Sequence, residues 1–226
     1  MLGTSRARFG VVALATLVIV IAACGGGDGD DGGNDGSLAE LRGHLAAAGD
    51  LGVQQQREFE WNNATDLLVQ GLVIPEATTP SELGAAIEDA GFQGAVGREL
   101  ADSRHKLNMR IGAAQFDSAE GAREARDLLH EQDLKQPCSS ACIVSPREYE
   151  LADIPNSAAA HHVPVRGKLP LGRFKVEAHH AEFVIGAQLY VVQADGRPSA
   201  TFGAEFDRIM RSVYEAAAGA HDSAGA

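Results

Sequence analysis

A chain of 226 residues with 31 acidic against 19 basic side chains has a formal net charge of −12. That excess speaks against nucleic acid as a partner, because phosphates are met by Lys and Arg. It also repels anionic lipid headgroups, so any hold on a membrane has to come from something other than charge.

The chain opens with Arg6 and Arg8 and no acid, followed by an uncharged stretch from Phe9 to Ala23. A spanning helix needs about 20 apolar residues, and this stretch is shorter. A positive start, a short apolar run and small residues before residue 24 together describe an export signal. The segment Ile21-Ala22-Ala23-Cys24 resembles the lipobox of bacterial lipoproteins. The resemblance implies a diacylglyceryl group on the Cys24 thiol and cleavage just before it, so that residues 1–23 are removed. Membrane attachment then rests on two acyl chains, since one chain alone binds only marginally.

Residues 25–37 read GGGDGDDGGNDGS and contain no apolar side chain. Nothing there offsets the entropy of ordering, and Cys24 with this stretch, 24–37, is expected to form a flexible tether with a reach of about 20 Å. Gly27, Gly29 and Gly32 match a dinucleotide-binding glycine pattern, but no strand precedes them and the interleaved aspartates repel a pyrophosphate. Gly26-Gly27-Asp28-Gly29-Asp30-Asp31 resembles one calcium-binding repeat, without the stacked copies such a site requires.

A single α+β domain is expected over residues 38–217, with a disordered tail at 218–226. Ser37 and Glu40 form a capping box ahead of Leu38, Leu41, Leu45 and Ala48, with Gly49 as the stop. Phe59 and Trp61 share one face of a strand, and Glu58 and Glu60 the other. Thr79-Pro80-Ser81-Glu82 starts a second helix that buries Leu83, Ala86, Ile87 and Ala90 and ends at Gly91. Leu107, Met109, Ile111 and Ala113 alternate with polar residues, as do Phe174, Val176 and Ala178. Asp117 and Glu120 open a third helix carrying Ala122, Ala125 and Leu129; a fourth begins near Ser199 or Thr201 and shows Phe202, Phe206, Ile209 and Val213.

Phe183-Val184-Ile185 and Leu189-Tyr190-Val191-Val192 are apolar on both faces, as in central strands, with Gly186-Ala187 suited to a II′ hairpin turn. The pattern predicts two β-β-α units, from Phe92 to about Gln132 and from Phe174 to about Ala217, in an antiparallel sheet with helices packed mainly on one face. The overall look is similar to small envelope lipoproteins of actinobacteria, and no functional residue carries over from that resemblance.

Cys138 and Cys142 are the remaining cysteines. Outside the cytoplasm so close a pair is expected to form a disulfide that clips a loop. A redox dithiol is better served by C-x-x-C at a helix start, and zinc needs further ligands nearby. His161-His162 and His179-His180 are adjacent pairs. Strand neighbours point to opposite faces, so His179 and His180 are expected to divide into one solvated and one partly buried imidazole, with no shared metal. Ser103-Arg104-His105-Lys106 fits the loose S-x-x-K pattern but falls in a hairpin connection, and Asp153 to Ser157 reads as a turn. No catalytic residue, cofactor or metal ligand is assigned. The leading expectation is a non-enzymatic envelope module that binds a small apolar ligand or another envelope protein. A hydrolase assembled from distant residues and a purely structural accessory lipoprotein are the alternatives.

Overall fold

The computed structural model describes residues 35–68, 80–104, 107–135, 147–149, 151, 153–169 and 172–224. Seven strands form one antiparallel sheet: β1 (Gln54–Trp61), β2 (Phe92–Asp102), β3 (Leu107–Phe116), β4 (Arg147–Tyr149), β5 (Ser157–Leu169), β6 (Gly172–Ile185) and β7 (Gln188–Gly196). Their spatial order is β1-β2-β3-β7-β6-β5-β4. The β6–β7 turn closes through Gly186 at φ 57 and pairs Ile185 with Gln188, as a II′ turn needs. Phe183 and Tyr190 face each other across this hairpin as parallel rings 4.8 Å apart. In β5 the ladder slips between His162 and Val165, where Pro164 has no N–H to give.

The helices are α1 (Asp35–His44), α2 (Ala48–Leu51), α3 (Ala64–Asp66), α4 (Pro80–Asp89), α5 (Ala119–Lys135) and α6 (Phe202–Ala224). They divide between the two sheet faces. Alternate residues of a strand point oppositely. Accordingly Met109, Ile111, Tyr190 and Val192 join the core made with Leu38 and Leu41 of α1 and Phe206 and Val213 of α6. Ala114, Phe116, Leu189 and Val191 join a second core with Ile87 of α4 and Ala125 and Leu129 of α5. The expectation of helices mainly on one face is therefore corrected: α1, α2 and α6 cover one face (face A), and α4 and α5 the other (face B). The central strands are apolar on both sides because both sides are covered.

Both predicted β-β-α units are present, as β2-β3-α5 and β6-β7-α6. Antiparallel β3 and β7 pair directly, with Ile111 opposite Val192. A two-fold axis relating the units would put α5 and α6 on the same face. They lie on opposite faces, so the units are not copies of one structure.

Several boundaries move. The first helix begins at Asp35, inside the expected tether. It stops at His44, and Arg98 from β2 donates to the carbonyls of Leu45 and Ala46, each at 3.0 Å. Ala48 thus starts a separate short helix that ends at Gly52 with φ 72, not at Gly49. Helix α5, the third of the expected helices, is capped by Ser118, whose Oγ accepts from Gly121 N at 3.1 Å, and not by Asp117. The expected disordered tail is corrected as well, since α6 continues to Ala224. His221 in its last turn is 2.9 Å from the Gln188 side-chain oxygen and holds that end against the sheet.

Candidate functional site

On face B, the strip above β1, β2 and β3 carries a half-open apolar slot with a cavity volume of about 30 Å³. Its outer wall is the β1 pair Phe59 and Trp61, with rings 5.4 Å apart and 14° from parallel. Period-2 geometry puts both on one face, and small residues opposite make room for them. Phe59 pairs with Gly97, and Trp61 with Ala95. The floor is Ala95, Gly112 and Ala114; Ile87 and Leu129 form the roof, with Val191 at the inner end. Arg110 borders the slot with its side chain 38 % exposed, 3.9 Å from Glu99. Among the described residues, no Ser, Cys, Asp, Glu or His lines the slot. The enclosed space equals roughly two water-sized spheres, enough for the tip of one apolar group. Apolar walls of this kind bind by dispersion and exclusion of water.

Among the described residues, three buried polar groupings lie elsewhere. Behind α5, His130 Nδ1 stands 3.7 Å from the Glu182 carboxylate, which is 1 % exposed, and His130 Nε2 stands 3.2 Å from Glu148. Glu182, then Glu148, raise the His130 pKa above its usual value against the opposing effect of burial. Near β4, His179 Nδ1 is 3.3 Å from the Tyr149 hydroxyl and its Nε2 is 3.2 Å from Glu177. Its ring stacks on Phe202 at 4.9 Å. This acid–imidazole–hydroxyl order looks like an activated nucleophile, but burial, aided by Asp207 and Glu182, drives the Tyr149 pKa upward. The phenol therefore stays protonated, the opposite of activation.

The third grouping joins α1, β7 and α6. The Gln188 Oε1 atom accepts from Tyr190 at 2.6 Å and lies 2.9 Å from both His44 Nδ1 and His221 Nε2. The two imidazole centroids are 5.2 Å apart. Burial, then the neighbouring His44, lower the His221 pKa below its usual value.

His179 and His180 are both buried, at 5 % and 6 % exposed. The expectation of one solvated imidazole is thus corrected: α6 covers the side of His179, and α5 the other. No group of three or more His, Cys, Asp or Glu able to hold a metal occurs among the described residues. Ser103 and Arg104 sit in the β2–β3 connection, where the Asp102 carboxylate accepts from Arg104 N at 2.8 Å. Cys24, Cys138 and Cys142 lie outside the described residues, as do the lipobox and residues 25–34 of the tether. The slot and the His44–Gln188–His221 grouping escaped sequence reasoning. The available signal for the slot was glycine at 97 and 112 inside two strand patterns, together with the chain's single tryptophan.

No helix of the described residues is long and apolar enough to cross a membrane. No family model matches the sequence, and no curated protein matches it. Among solved structures, the fold is similar to the extracellular domain of PknH from Mycobacterium tuberculosis, with a TM-score of 0.50 and 11 % identity over 78 % of this chain and 94 % of that one. A Mycobacterium smegmatis protein described as the Rv0999 ortholog matches with a TM-score of 0.39 and 10 % identity, over 73 % of this chain and 87 % of that one. At these identities the likeness concerns the fold alone.

Proposed function

We propose that this chain is a lipid-anchored, extracytoplasmic, non-enzymatic binding module of the cell envelope, and that the slot on face B receives an apolar group of its ligand. The slot carries the reading: an aromatic wall, an alanine and glycine floor, and the two arginines Arg98 and Arg110 make a recognition surface in which, among the described residues, no Ser, Cys, Asp, Glu or His takes part. The lipobox at Ile21–Cys24 supports the anchor. A domain of this fold stands outside the cell in PknH, which suits the proposed location. In this reading Cys138 and Cys142 form a structural disulfide.

The test uses the chain's single tryptophan, which is also a slot wall. Titration with 6-bromohexanoate, whose bromine quenches indole on contact, should give saturable loss of Trp61 emission. Ala114→Leu, which fills the floor, should abolish saturation while leaving the melting transition cooperative. Linear quenching that is identical in both proteins would rule the slot out as a binding site.

A further inference from the structure

Trp61 and Phe59 belong to β1, and β1 is an edge: its one partner among the described residues is β2. The ladder is irregular between Gln55 and Arg57, so the regular edge is Arg57 to Trp61. Its side chains make contacts on both faces. On face A, Glu58 is 2.9 Å from Arg98 and Glu60 is 2.6 Å from Arg42. On face B, Phe59 and Trp61 stack, with Phe59 half-buried. An edge with alternating N–H and C=O groups is complementary to another extended backbone.

We infer that the ligand of this module is an extended peptide segment of a different protein, which adds as a further strand along Arg57–Trp61. The inference rests on the reading of face B as the binding face. An apolar side chain of that segment packs on the half-buried Phe59 and closes the outer side of the slot, since facing side chains of paired strands come within about 5 Å. Residues alternating with it lie beside Glu58 and Glu60, which stay 41 % and 40 % exposed while each is paired with an arginine, and basic side chains there extend those ion pairs.

A second copy of this chain fits poorly. Antiparallel strands related by a two-fold axis pair residues of the same face. Every such register that covers Phe59 sets Arg57 against Arg57 or sets glutamates of β1 against each other. Like charges directly opposed destabilise a pair of strands.

The test is amide hydrogen exchange of the full chain with a capped probe peptide, Lys-Leu-Lys-Ile-Lys-Val-Lys. The control is the same peptide with alternate amides N-methylated, which keeps charge and side chains but removes donors. The intact probe at ten times its Kd should slow exchange of outward-facing β1 amides roughly tenfold, and the methylated control should not. Equal slowing by both peptides would reduce the effect to charge attraction and overturn strand addition. Absence of slowing, with bromohexanoate still quenching Trp61 saturably, would overturn strand addition and leave the slot reading standing. Loss of both responses would remove both. Protection of β1 by concentration-dependent dimerisation without peptide would assign the edge to a second copy instead.

Discussion

The Trp61 ring lies over Gly97 so closely that a Cβ at that glycine would stand 2.8 Å from the ring. The outer wall of the slot therefore depends on a missing side chain in the neighbouring strand. Gly97→Ala should push the indole outward and destabilise the domain by about 1–3 kcal/mol, the usual range for overpacking. Trp61 is 6 % exposed. Its emission should accordingly shift to the red in the variant, and an unchanged spectrum with unchanged stability would refute the contact.

A second glycine sets the spacing of the helices on face B. A Cβ on Gly121, in the first turn of α5, would overlap the Ala90 carbonyl oxygen at the end of α4. Gly121→Ala should cost about 3 kcal/mol by forcing the helices apart. Gly49 in α2 has nothing within 4 Å of the same position and a negative φ. Gly49→Ala should stabilise by about 0.5–1 kcal/mol through the unfolded chain. Urea titration of both variants separates the two outcomes.

Two histidines act oppositely on pH dependence. His130 has a folded pKa above the ordinary 6.5, set first by Glu182. Its contribution to stability is complete below pH 6.5 and is lost as pH rises through the folded value. His221 is lowered, chiefly by burial and then by His44. Its contribution is complete above pH 6.5 and is lost as pH falls through the folded value. Melting temperature measured against pH should flatten on the alkaline side in His130→Gln and on the acid side in His221→Gln. The reverse assignment would contradict both sets of contacts.

The proposed anchor has its own test. Cys24→Ala should abolish metabolic labelling by an alkyne fatty acid and release the chain from membranes. A variant that stays labelled and sedimenting would exclude lipid on Cys24.

Much of the fold was legible because covered faces impose periodicity. Leu107 to Ala113 alternate, Pro80 and Gly91 bracket α4, and Gly186 marks the β6–β7 turn. The run Leu189 to Val192 already required cover on both faces, yet nothing local says which helix goes to which side. That choice is made by tertiary packing, and it is what buries His179 and His180 alike. The slot was illegible for a related reason. It is space left between Trp61, Ile87, Ala114 and Leu129, residues from four elements, and each of them reads locally as ordinary core. The His44–Gln188–His221 contact joins residues far apart in the chain, two of them at helix ends where a histidine reads simply as favourable to the helix dipole.

Methyl NMR of the full chain with ¹³C-labelled alanine decides whether the proposed ligand binds on face B. Ala95 and Ala114 line the slot, whereas Ala181 and Ala217 belong to the core on the other face. On titration with 6-bromohexanoate the first two methyl signals should move saturably with one shared Kd, and the last two should stay in place. Shifts confined to Ala181 and Ala217, or no saturable shift at Ala95 and Ala114, would contradict the account.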